Sequence, residues 1–438
     1  MGLSLLCVAC AAYGSFVPLR WRPIGWVEGL RRAAAIPLEP VWHVFNGDFF
    51  TNVLVFLPIG FFAAGAISGT EGPTFDRSHE RRRLSPYSAV LAGAVLSGSL
   101  LLSALLELGQ VYIRDRTPSW SDVYAQTLGG TAGAVLWPLI GAATVQWING
   151  AFGASTRQER VFRLLGIYVA GWATYVLLPT VFPHLAHPQL HLWIAPNDLS
   201  RLALAGPLSI AALSAIPVGA YALLSSRALP WWLAASMAVA GFGLLALADR
   251  VQQVSVMPAD GQFAAGVLGF SSGWLAVGFG WQRMSRCSPE ATRRLLLAGL
   301  AGLLAVVALC YWAPFDFRVS GQALERRVTV LYTRAPFHRY YWLPPLVALG
   351  EILTLTLLSM TTSLLISLAS SARGRAPSPR TAILVTTAVF AIVEWGQLYL
   401  PSRRADPTDL LIASVGALVG AAVGRALASA SPPQGIAT

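Results

Sequence analysis

Runs of apolar residues recur along the whole chain, separated by short stretches rich in Arg, Pro and Gly. They cover about 2–19, 50–68, 87–112, 121–148, 162–183, 202–225, 228–247, 262–281, 293–313, 340–369, 380–400 and 407–427. An α-helix needs roughly 20 residues to cross a bilayer, which is about the length of each run. Backbone amides in lipid must be bonded within their own segment, so runs of this length predict helices. The expected fold class is all-α, a polytopic integral membrane bundle of about twelve transmembrane helices. The longest connections are 20–49 and 314–339, and residues 428–438 read as a disordered tail.

Composition narrows the picture. Hydrophobic residues make up 55% of the 438 positions and charged residues 12%. A soluble chain carries about 25% charged residues, so a soluble enzyme and a disordered protein are both excluded. The net charge is +11, and all 31 cationic residues are Arg. Because these Arg sit between apolar runs, the expected partners are membrane lipids with anionic headgroups and not nucleic acid. Their distribution between alternate loops is nearly even. With the Arg of 20–49, 314–339 and the motif loops set aside as functional, the remaining bias favours a cytoplasmic N-terminus, with the loops around 113–120 and 401–406 on the outer face.

Of the four Cys, Cys7 and Cys10 form a C-x-x-C inside the first run, and Cys287 and Cys310 stand alone. A thiolate in hydrocarbon is costly, so these are expected to be small apolar helix residues. The first run lacks a basic leader and a small-residue cleavage site, and reads as a retained span. The one His cluster, His184, His187 and His191, is broken by Pro183 and Pro188 and reads as interfacial loop. No metal site and no cofactor are expected. Trp231, Trp232, Tyr340, Tyr341 and Trp342 lie beside run ends, as an aromatic belt would.

One polar pattern occurs twice. Glu107, Gln110, Arg116, Asp122, Gly129 and Gly133 recur as Glu394, Gln397, Arg403, Asp409, Gly416 and Gly420, at a constant offset of 287 that also sets Pro345 on Pro58. A fainter copy between them keeps Pro217-Val-Gly219, Asp249, Gln252, Asp260, Gly269 and Gly273. The chain therefore divides into parallel four-helix units at 1–150, 151–290 and 291–438, the middle one degenerate.

Glu and Gln three apart share a helix face. Arg follows in the loop and Asp opens the next helix, so a helix hairpin would gather all four at one interfacial spot. An ionisable residue in a span is expensive unless paired, and is a candidate functional residue by default. The candidates are Glu107, Gln110, Arg116 and Asp122, with Glu394, Gln397, Arg403 and Asp409. The Arg would hold an anion, and the carboxylates would orient it or exchange a proton. Two blander roles compete. Ser119-x2-Asp122 and Asp406-x2-Asp409 can be helix caps, and Glu–Arg can be a structural clamp. The G-x-x-x-G runs, including Gly424, read as close helix packing. Asn52 lies in an apolar run and must bond either a carbonyl freed by Pro58 or the polar motif; Arg339 takes its place in the later copy.

Asn52-Val-Leu-Val-Phe56-Leu-Pro58-Ile-Gly60-Phe61, Glu107-x2-Gln110, Arg116, Asp122 and Gly129-x3-Gly133 resemble the VanZ-like membrane family over about 45–140. Residues 310–425 resemble it through Glu394, Gln397, Arg403, Asp409 and Gly416. The family usually has Asn four residues after the Asp, where Gln126 and Ala413 stand here. The resemblance implies a multi-pass bacterial inner-membrane protein of the cell envelope, in a family associated with resistance to the glycopeptide teicoplanin and, in other members, with polysaccharide export. The reading that follows is a site for an anionic envelope lipid, polyprenyl-linked or other, or for a glycopeptide-like ligand. The alternatives are a transporter or flippase for a lipid-linked precursor, a membrane enzyme acting on such a substrate, and a structural scaffold.

Overall fold

The computed structural model describes residues 2–37, 47–68, 86–154, 156–181, 201–225, 259–277, 287–373 and 378–429. Among these residues the protein is helical and has no strand; an antiparallel bridge joins Trp21 and Ile113. Seven of the described helices are long and apolar enough to cross a membrane. The polar motif falls on described residues. Trp231, Trp232, the His cluster, Asp249, Gln252 and the tail beyond Ser429 lie outside them.

The chain divides into two compact units. The first holds residues 1–147 and 337–345. Its helices are α1 (Gly2–Phe16), α2 (Trp26–Ala34), α3 (Gly47–Ser68), α4 (Pro86–Gln110) and α5 (Trp120–Gly153), the last running past the unit's edge. At 15 residues α1 is shorter than the expected span. The helix α2 lies in what the sequence presents as a loop. Here α1 packs on α3 and α4, and α3 on α4. Phe56, Ile59, Leu106 and Ala11 form one buried cluster; Phe61, Ala64, Leu91, Val95, Ala134 and Trp137 form another.

The close approach of α3 to α5 depends on glycine. A Cβ at Gly60 would overlap the carbonyl of Gly130, and Cβ atoms at Gly129 and Gly133 would overlap the carbonyls of Val53 and Leu57. Small residues are what lets two helices meet this closely in a membrane.

The second unit holds 148–336 and 346–438. It contains α6 (Arg157–Val181), α7 (Arg201–Ser225), α8 (Ala259–Leu275), α9 (Pro289–Trp312), α10 (Gly321–Thr333), α12 (Pro345–Ser371), α13 (Pro379–Gln397) and α14 (Pro407–Ala428); the one-turn α11 (His338–Tyr341) belongs to the first unit. Three of these helices start alike. Ser288, Ser378 and Asp406 cap α9, α13 and α14, each followed by Pro at the first helical position, where its missing N–H costs nothing. At its far end α14 is closed by α6. Arg157 donates to Leu427 O (3.1 Å), and Arg160 donates to Ala426 O and Ser429 Oγ. Cations satisfy the last, unpaired carbonyls of a helix and oppose its negative end.

The polar ends of α6 and α13 leave them less apolar than the seven crossing helices, and the apolar part of α8, Phe263–Leu275, is short. Arg157, Glu159, Arg160 and Arg163 stand in the first two turns of α6, and Arg380 and Glu394 in α13.

The α7–α8 pair packs as α3–α5 does. Gly219, Gly269 and Gly273 face the carbonyls of Phe270, Ala212 and Ile216. The Pro217/Pro58 and Gly269/Gly129 equivalences read from the sequence thus fall on matching contacts. The Pro345/Pro58 equivalence does not. Pro58 lies inside α3, while Pro345 is the first residue of α12. The partner of Gly420 is Met360 O, as Leu57 O is that of Gly133, so Thr361 takes the position of Pro58 and Leu355 that of Asn52, not Arg339.

Gly60→Ala is expected to lower stability by about 1–3 kcal/mol, the usual cost of overpacking. Gly93→Ala, on α4 with nothing near its added methyl, is expected to be neutral or to gain up to about 1 kcal/mol from helix propensity. Thermal unfolding in detergent checks both. Equal melting of the two variants would remove the close-packing argument.

Candidate functional site

Each helix hairpin is built on a buried glutamate. Glu107 is in the last turn of α4 and 3% exposed. Its Oε2 accepts from the backbone N–H of Ser119 at 3.0 Å, and Gln110 Nε2 donates to its Oε1 at 3.1 Å. Ser119 in turn caps α5, its Oγ accepting from Ser121 N. A capping box would take the Ser119 N–H with a side chain three residues on. Here Glu107 supplies that acceptor from the preceding helix, and Asp122 turns away to accept from Asn52 Nδ2 (2.8 Å). Asn52 therefore meets the motif and not a carbonyl freed by Pro58.

Arg116 works on the other side of the hairpin. It donates through Nε to Val17 O (2.8 Å) and through Nη2 to Gly14 O, the open carbonyls at the end of α1. Its guanidinium stacks 4.1 Å from the centre of the Tyr341 ring, and Tyr341 Oη donates to Asp115 O. Burial pulls the Arg116 guanidinium below its usual pKa, opposed by Tyr341, Glu107 and Asp122. The loop is also stitched to the segment after α1: Arg22 N–H donates to Tyr112 O, Arg114 N–H to Arg20 O, and Arg22 Nη2 to Arg114 O.

The second hairpin repeats this set. Glu394 Oε2 accepts from Asp406 N at 3.0 Å, and Gln397 Nε2 donates to Glu394 Oε1 at 3.4 Å. Asp406 caps α14 through Thr408 N (2.9 Å). Arg403 donates through Nε and Nη2 to Ala313 O, at 3.1 and 2.9 Å, just past the end of α9. The N–H groups of Arg318 and Val319 donate to Tyr399 O, the counterpart of Tyr112 O. Gly109 seats the Phe16 ring, and Gly396 seats the Trp312 ring. Asp409 is buried.

Beside the glutamates the hairpins differ. In the first, Gln126 is 2% exposed and accepts from Ser103 Oγ at 2.6 Å. The residues 287 further on are Phe390 and Ala413, both buried. A hydrogen-bonded pair is thus matched by a large ring and a methyl. The second hairpin has instead Arg327, whose Nη1 donates to the carbonyls of Leu398, Leu400 and Arg403 at 2.7–3.2 Å.

Sequence reasoning places the eight motif residues and Asn52 at these two centres. It does not find Ser103, Tyr341 or Arg327. Ser103 and Arg327 carry no distinguishing signal among many similar residues, and Tyr341 reads as part of an aromatic belt. Among the described residues no cluster of His, Cys, Asp or Glu could hold a metal ion, and all four Cys are free thiols.

The arrangement can do two things chemically. Its inner part fixes two helix ends by charge-assisted hydrogen bonds. Its outer part presents cations: Arg20 and Arg114 are exposed around the first hairpin, Arg318 and Arg404 around the second.

The VanZ/LLP1 family model matches residues 5–141. That stretch runs from α1 through most of α5 and contains Asn52, Glu107, Gln110, Arg116 and Asp122, so this part of the chain is VanZ-like. No curated protein and no solved structure matches the chain.

Glu107→Ala strands the Ser119 N–H and is expected to cost about 1–3 kcal/mol, the penalty for an unmet buried donor. Glu107→Gln keeps an acceptor and should cost less. Unfolding midpoints of the two variants in detergent give the answer, and an unchanged midpoint for Glu107→Ala would show that the cap is dispensable.

Proposed function

We propose that the chain is a multi-pass protein of the bacterial inner membrane that binds the anionic group of an envelope lipid, or of a glycopeptide-like ligand, at the Arg-rimmed hairpins. Its setting is the cell envelope, in processes of the kind that glycopeptide resistance and polysaccharide export represent. The reading rests on one observation: Glu107, Glu394 and Asp409 are buried, while the guanidinium groups at the same helix ends reach the surface. Arg20 forms a 3.4 Å pair with Asp115, its side chain 63% exposed. Such a pair holds its cation weakly and leaves it available to a phosphate or carboxylate.

In this reading Arg116 and Arg403 shape the rim. Arg20, Arg114, Arg318 and Arg404 meet the anion. Gln110, Gln397 and the buried carboxyls keep the hairpins closed beneath it. The three-unit division at 1–150, 151–290 and 291–438 belongs to the same proposal, with the middle unit serving as scaffold.

A second reading, a structural membrane scaffold, is favoured by a specific feature. Both motif Arg spend their donors on backbone carbonyls at helix ends.

Native mass spectrometry of the full chain, titrated with phosphatidylglycerol and with undecaprenyl phosphate, separates the two. The fourfold variant Arg20→Ala/Arg114→Ala/Arg318→Ala/Arg404→Ala is expected to bind roughly tenfold more weakly at least, since each charge-assisted contact is worth about 1.5 kcal/mol or more. Its melting temperature should stay unchanged, whereas Arg116→Ala/Arg403→Ala should lower it. Equal lipid retention by the fourfold variant would leave the scaffold as the function.

A further inference from the structure

The nine-residue helix α2 lies between α1 and α3 and is sharply two-sided. Trp26, Val27, Leu30 and Ala34 fall within one arc of the helix, Glu28 and Arg32 lie opposite it, and Arg31 stands at its edge, one turn on from Val27. The apolar arc is not covered by the described protein: Trp26 is 64% exposed and Val27 69%. Just before the helix, Trp21 is exposed as well. Single exposed apolar residues are ordinary on a protein surface, but a contiguous set marks a contact.

The height of α2 relative to the membrane is fixed by the fold. The span Val90–Gln110 ends two residues before Tyr112. Gly29 of α2 sits against the Tyr112 ring, and the Trp21–Ile113 bridge ties the approach to α2 to the same turn. At 1.5 Å of rise per residue, α2 lies within a few ångströms of where that span leaves the hydrocarbon.

The charges match what is found at that depth. Glu28 bonds both Arg31 and Arg32, at 2.7 and 2.9 Å. The hydrogen bond from Arg32 chiefly, then the nearby charges of Arg31 and Arg32, pull the Glu28 carboxyl below its usual pKa against a little burial. One negative charge against two positive ones leaves the polar arc cationic, with Arg20 and Arg22 close by in sequence. Tryptophan, a short amphipathic helix and surplus Arg are the features that seat a helix at an anionic lipid interface.

The second hairpin has a comparable element. There α10 follows α9, is pinned to the 398–403 turn by Arg327, and leaves Val330 and Tyr332 exposed, with Phe315 and Phe317 exposed on the way to it.

We infer that α2 is a membrane-surface helix, lying along the headgroup boundary of the leaflet at which Gln110 emerges, with Trp26, Val27 and Leu30 on the acyl side and Arg31 and Arg32 among the phosphates. The partner is the anionic leaflet itself, a surface separate from the hairpin rim. A helix so held couples the turn that carries Arg114 and Arg116 to the lipid surface through Gly29 and Tyr112.

The test is spin labelling of the full chain in nanodiscs of phosphatidylcholine and phosphatidylglycerol. The four native Cys are replaced by Ser or Ala, and a single label is placed by Val27→Cys or by Arg32→Cys. At position 27 the label is expected to collide with lipid-soluble oxygen more often than with a water-soluble nickel chelate, and at position 32 the order should reverse. Preference for the nickel chelate at position 27 would put α2 in water. Poor access of both reagents there would mean that protein covers the face. Either result overturns the inference. Should the Cys-free protein fail to fold, emission quenching by lipids brominated near the headgroup replaces it. Trp26→Phe in the native-Cys chain should then lose part of the quenchable emission, and no loss would again overturn the assignment.

Discussion

A buried glutamate closing the start of the next helix is the constraint on which both hairpins depend. The first N–H groups of any helix have no partner within it, and in a membrane water does not supply one. Glu107 takes the Ser119 N–H and Glu394 the Asp406 N–H, each at 3.0 Å. The acceptor comes from the preceding helix, so the bond does more than cap: it sets how the two helices leave the turn. The Gln three residues on holds the other carboxylate oxygen, which accounts for Glu and Gln occurring together in both copies. With the turn fixed, Arg116 and Arg403 reach the carbonyls at the ends of α1 and α9. Two helix ends are thus satisfied by one set of side chains at each hairpin.

This arrangement changes what the motif Arg can do. A guanidinium with two donors on helix carbonyls and a ring on its face is committed, and the cost of moving it would fall on the end of α1. The charge open to an outside molecule sits on Arg20, Arg114, Arg318 and Arg404. The sequence pattern ranks residues by recurrence, and recurrence selects those that hold the fold. Residues free to meet a ligand need not stand at the same offset.

The all-helical class and the place of Glu, Gln, Arg and Asp on two helix hairpins were legible from apolar runs and one offset, whereas α2 and α10 fall in the expected loops 20–49 and 314–339. The offset stayed constant because α4–α5 and α13–α14 have equal spacing between their polar residues. It failed outside them. The Phe16 and Trp312 rings, which seat on Gly109 and Gly396, are 296 apart, and the carbonyls facing Gly133 and Gly420 belong to Leu57 and Met360, 303 apart. The connections before each hairpin differ in length, so a single offset set Pro345 beside Pro58 although one opens a helix and the other sits inside one. α2 was hidden for a related reason. It has only nine residues, and its Trp26, Val27 and Leu30 spacing is too short to register as a run.

The difference beside the two glutamates carries the comparison further. Ser103 and Gln126 give the first hairpin a polar lining that continues from Glu107, whereas Phe390 and Ala413 stand at those places in the second. A buried hydroxyl and amide are costly unless bonded to each other or to a partner, and here both are bonded. Exchanging both for a ring and a methyl leaves no stranded group. The Glu cap and the Arg clamp survive this exchange intact, so they do not need the polar lining. The lining is therefore the part of the first hairpin that helix-end geometry does not explain, and it lies within residues 5–141, which the VanZ/LLP1 family model matches.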